Sequence, residues 1–86
     1  MTNLNYQAPA ALYLGRDWDT AAASGPRAFR LAAHALRFAL EEAAPVSLRG
    51  ARLHVGDHVF TGSDLEHLYR AQSYPLERKR QARTDN

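Results

Sequence analysis

The chain has 86 residues, 45% of them apolar, no cysteine and a formal net charge of +2. That length suits one domain, the absence of cysteine excludes disulfides and thiolate chemistry, and no stretch approaches the ~18 apolar residues a membrane helix needs. Sixteen residues are alanine and none is isoleucine, so the core is small and the domain gains by burying a face in a partner. Residues 1–75 balance seven Arg against seven Asp and Glu, and the positive excess lies in residues 76–86. The N-terminus shows no basic region followed by an apolar run, so the expected compartment is the cytoplasm.

In chain order, residues 1–9 read as a loose lead-in ending at Pro9. Ala10 to Gly15 reads as a strand with Leu12 and Leu14 on one face and Tyr13 on the other. Arg16 to Gly25, with turn formers Asp17, Asp19, Ser24 and Gly25 around Trp18, reads as a linker or long hairpin loop. Pro26 to Leu31 suits either a second strand or the first turn of the next helix, and the alternation favours the strand. Ala32 to Ala44 is the clearest helix, with Ala32, Ala33, Leu36, Ala39, Leu40 and Ala43 on one face. Phe38 falls off that face. Pro45 ends the helix, and Leu48 to Gly50 connects it to the next strand.

Leu53-His54-Val55 and His58-Val59-Phe60 flank Gly56-Asp57, a tight hairpin signal that sets Val55 opposite His58 and Leu53 opposite Phe60. A helix follows, with Ser63 and Glu66 as its expected capping box. Its buried stripe is Leu65, Leu68 and Tyr69, and Glu66 and Arg70 stand at i and i+4. Pro75 blocks continuation, and residues 77–86 read as a basic disordered tail. Deleting that tail is expected to leave the melting temperature nearly unchanged. The expected fold is a single α+β domain over residues 10–76 in the order ββαββα, an antiparallel sheet with two helices on one face.

The run Ala33-His34-Ala35-Leu36-Arg37-Phe38-Ala39-Leu40-Glu41-Glu42, then Leu48-Arg49-Gly50-Ala51, Phe60-Thr61-Gly62, Leu68-Tyr69-Arg70 and Tyr74-Pro75-Leu76 resembles a group of small uncharacterised bacterial proteins. The resemblance covers roughly residues 10–80 and implies the helix, the hairpin and the closing segment, with no activity and no site residue attached. The chain departs from that pattern at His34, where an acid is usual, and at Leu31, where a Thr-type helix cap is usual.

No residue set fills the roles of acid, base and electrophile, so no catalytic residue, cofactor or metal is expected and the enzyme reading stands third. His54 and His58 fall on opposite faces of the hairpin, and Asp57 and His67 complete no ligand spacing. Asp17 with Asp19 reads as turn chemistry, and Asp64 with Glu66 as helix capping. Arg78, Lys79, Arg80 and Arg83 suit non-specific phosphate contact, but the neutral body favours a solubilising tail over it. Phe38, Trp18 and Tyr13 are the candidates for a protein interface, since clustered aromatics outside the core mark one; an equal alternative is that Trp18 folds back as a lid over the sheet and Phe38 lies under the terminal helix. The leading expectation is a small non-catalytic protein-binding domain, as a homodimer, adaptor or inhibitor of a larger protein. The alternative is a nucleic-acid-associated accessory protein using the basic tail.

Overall fold

Glycine at position 56 is what allows the hairpin to turn tightly: its φ of 59° lies in the left-handed region, which other residues enter only at a cost. The computed structural model describes residues 4–77. The hairpin strands are β3 (Arg52–Val55) and β4 (His58–Thr61), with Val55 opposite His58 and Leu53 opposite Phe60 as the spacing predicts. Strand β1 (Ala10–Tyr13) pairs antiparallel with β3 on one side and with β2 (Arg27–Phe29) on the other. The sheet order is therefore β2-β1-β3-β4.

Period-two alternation gives this sheet two unlike faces. Ala10, Leu12, Leu53, Val55 and Phe60 are buried beneath α2 (Ala32–Arg37) and α3 (Gly62–Arg70). The expected stripe of Leu65, Leu68 and Tyr69 on α3 is buried, and Glu66 accepts from Arg70 Nε at 3.2 Å. The fold class is α+β, as the sequence implies, but the element order differs. A helix, α1 (Trp18–Ser24), replaces the expected loop between β1 and β2. Asp17 is its N-cap, its carboxylate accepting from the Thr20 N–H at 2.7 Å, and Gly25 closes it at φ 82°.

The lead-in ahead of Pro9 carries more structure than the sequence suggests. Helix α2 starts at Leu31 without a capping side chain. Its first N–H groups instead find main-chain acceptors: Ala32 donates to the Ala8 carbonyl at 2.7 Å and Ala33 to the Tyr6 carbonyl at 3.0 Å. Tyr6 also donates its hydroxyl to the Leu68 carbonyl at 2.9 Å and packs edge-on against Tyr74. Tyr74 in turn contacts Tyr69, whose hydroxyl donates to the Glu41 carboxylate.

Two further corrections concern helix ends. The cap of α3 is Thr61, two residues before the expected Ser63, and the Asp64 carboxylate accepts from the Thr61 N–H at 3.1 Å. Thr61→Ala should therefore lower stability by about 0.5–2 kcal/mol, while Ser63→Ala should change a denaturant melt little. After α2 the chain widens into a π turn over Phe38–Glu42, closed by the Ala43 N–H on the Phe38 carbonyl at 3.0 Å. A 3₁₀ turn over Pro45–Leu48 follows. Gly50, just beyond, lies so close to Asp17 that a Cβ there would enter the Asp17 backbone.

Candidate functional site

The face of the sheet turned away from α2 and α3 carries Tyr13 on β1, Arg52 and His54 on β3, and Val59 on β4. Tyr13, Arg52 and His54 are half-buried there, and Val59 is exposed. Tyr13 and Arg52 are register partners, as are His54 and Val59. Helix α1 brings one more side chain: Trp18, at its first residue, meets Tyr13 edge-on with ring centroids 5.1 Å apart. The Arg52 guanidinium stacks over the Trp18 ring at 4.0 Å from its centroid, a contact worth about 0.5–1 kcal/mol where it is partly exposed. Tyr13 also packs against the His54 ring at 5.0 Å. Val59 remains 51% exposed.

Two of the three expected interface residues, Tyr13 and Trp18, are thus brought together. The third is not. Phe38 packs at the edge strand, 5.8 Å from Phe29 and with the Arg27 guanidinium over its ring at 4.6 Å. It stands apart from the Tyr13–Trp18 pair. The reason is the width of the buried stripe: Ala35 is fully buried and extends the stripe toward Phe38, three residues on, where β2 lies. Arg78, Lys79, Arg80 and Arg83 lie outside the described residues.

Arg52 is the member the sequence reading missed. Period-two alternation places it on the face of His54, but what gives it meaning is the pairing of β1 with β3 and the helical start at Trp18.

His54 adds an unusual feature. Its Nε2 is the one buried side-chain nitrogen or oxygen without a hydrogen-bond partner among the described residues. Leaving such a group unsatisfied costs about 1–3 kcal/mol. His54→Phe, which keeps a ring against Tyr13 and removes the orphaned nitrogen, should raise stability by about 1 kcal/mol. A thermal melt showing a loss would contradict this account of His54. Nearby, Asp17 is held below the ordinary aspartate value of 3.8, foremost by the Thr20 N–H, then by the Thr20 hydroxyl and the adjacent Arg16. Because the folded value is the lower one, the cap's contribution is present at neutral pH and is lost as pH falls below 4 through that value.

Among the described residues no three His, Asp or Glu side chains gather as metal ligands. A half-open groove of about 480 Å³ lies on the other side of the sheet, lined by Leu4, Asn5, Ala8, Val55, His58 and Phe60 among others. It is mostly apolar. No helix among the described residues is long and apolar enough to cross a membrane. No family model matches the chain, and no curated protein or solved structure matches it.

Proposed function

We propose that this chain is a small non-catalytic protein-binding domain, and that it binds through the sheet face opposite α2 and α3. One observation carries the reading: Trp18, Tyr13 and Arg52 converge on that face. Trp, Tyr and Arg are the residue types that dominate binding hot spots, because each offers a large rigid contact area and a polar group together. The exposed Val59 extends the surface on the edge strand. A core built largely from alanine and leucine leaves the domain with modest stability of its own, so a partner on this face adds to it.

Panning a displayed random-peptide library on the immobilised chain tests the reading. Selected peptides are expected to lose binding to Trp18→Ala and Val59→Asp and to keep it with His67→Ala, which changes an exposed position on α3. Peptides indifferent to Trp18 and Val59 would overturn it. A nucleic-acid-associated role is the second reading, supported by the four basic residues between positions 78 and 83. Its signature would be a weak, sequence-independent affinity that falls with salt and vanishes when residues 77–86 are deleted.

A further inference from the structure

We propose that the partner accepted by this face is acidic: an extended protein segment that sets an Asp or Glu carboxylate against the Arg52 guanidinium beside Trp18. The inference rests on the protein-binding reading above and adds the charge and shape of what binds.

Charge complementarity carries the first half. The strand side chains on this face include the guanidinium of Arg52 and the imidazole of His54, and no carboxylate. The nearest acids in sequence to Trp18 are Asp17, the N-cap of α1, and Asp19 in its first turn. Asp17 is already engaged by the Thr20 N–H and lies 3.7 Å from Arg16. The ion pairs among the described residues are Arg16–Asp17 and Glu66–Arg70, so Arg52 pairs with no carboxylate there. Its stacking on Trp18 covers one plane of the guanidinium and holds the fork in place. The N–H edge is then presented, pre-oriented, to a group with two acceptor oxygens. Half-burial of Arg52 lowers the local dielectric and strengthens such a pair relative to one in open water.

Area carries the second half. Four short strands span about 13 Å by 15 Å at ordinary strand rise and spacing. That is about 200 Å², well short of the ~800 Å² per partner that a stable globular interface buries. A second copy of this chain docking through this face alone would gain too little. An extended segment laid across the strands, with one carboxylate on Arg52 and apolar side chains on Trp18 and Val59, fits the dimensions.

Trp18 is the only tryptophan in the chain, so its fluorescence reports from the site. The full chain is titrated with an acetylated peptide of alternating Glu and Leu, with the same peptide carrying Gln for Glu, and with a short oligothymidylate. A saturable change in Trp18 emission is expected with the Glu peptide, at least about tenfold weaker with the Gln peptide, as losing a charged hydrogen-bonding partner implies. Arg52→Gln should lose the Glu peptide by a similar factor while melting as a folded domain by circular dichroism. Arg52→Lys, which keeps the charge and the aliphatic stem but not the planar fork, should bind at an intermediate level. Equal binding of the Glu and Gln peptides would overturn the acidic assignment and leave the protein-binding reading standing. A response to oligothymidylate in preference to the Glu peptide would overturn both in favour of nucleic acid. No saturable response to either peptide would also overturn the inference.

Discussion

Truncating Leu53 to alanine is expected to lower the free energy of unfolding by about 2–5 kcal/mol, a large share of what a domain this small has to lose. Leu53 is fully buried on β3. It sits in register between Leu12 on β1 and Phe60 on β4, so it joins the two halves of the sheet under the helices. The removed side chain leaves a cavity walled by strands on both sides, which cannot close in without breaking the ladder. Urea melts of the two proteins measure the effect, and a loss below about 1 kcal/mol would mean that this part of the core is looser than the packing implies.

The second large effect should come from Gly50→Ala. A methyl group at that position would enter the Asp17 backbone, and backbone cannot step aside as a flexible side chain can. The Gly50 N–H also donates to the Gly15 carbonyl at 2.8 Å, which ties the connector to the residues leading into α1. Overpacking of this kind costs about 1–3 kcal/mol or more. The expected result is a lower melting temperature together with a shifted Trp18 emission, because α1 must move to make room and carries Trp18 with it. Unchanged stability and emission would show that the close approach of Gly50 and Asp17 is not what seats α1. A shared loss of stability and peptide binding in Gly50→Ala, set beside Trp18→Ala losing binding alone, would separate the scaffold of the site from its contact surface.

Much of this architecture is written locally. Gly56-Asp57 between two alternating runs was enough to set the register of β3 on β4, and Leu65, Leu68 and Tyr69 were enough to set the buried side of α3. Helix α1 reads wrongly as a loop, although its signals are local. Asp17 and Asp19 look like turn formers, yet an Asp followed by three alanines and then Gly25-Pro26 is equally a cap, a helix-forming run and a stop. What the chain does not disclose locally is long-range pairing. Nothing near Tyr13 says that Arg52 lies opposite it, and nothing near Phe38 says that Phe29 and Arg27 wait at the sheet edge. The aromatic face therefore appears in the sequence as scattered residues, and only the pairing of β1 with β3 assembles them.

The stitching of the N-terminal segment to the far end of the chain has a consequence for how the protein is made. Tyr6 and Leu68, joined by the Tyr6 hydroxyl, are 62 positions apart, and β1 lies between β2 and β3 in the sheet. During synthesis β1 can pair early with β2, but its other edge waits for a strand produced about forty residues later. Through that interval the nascent chain exposes an unpaired strand edge with Leu12 on it, the kind of edge that recruits other chains. Contacts of such wide sequence separation also slow folding, since the entropy of closing the loop is lost before the contacts form. The domain should thus fold as one late cooperative event once α3 has left the ribosome, and a chain interrupted between β2 and β3 should yield two fragments with no stable sheet in either.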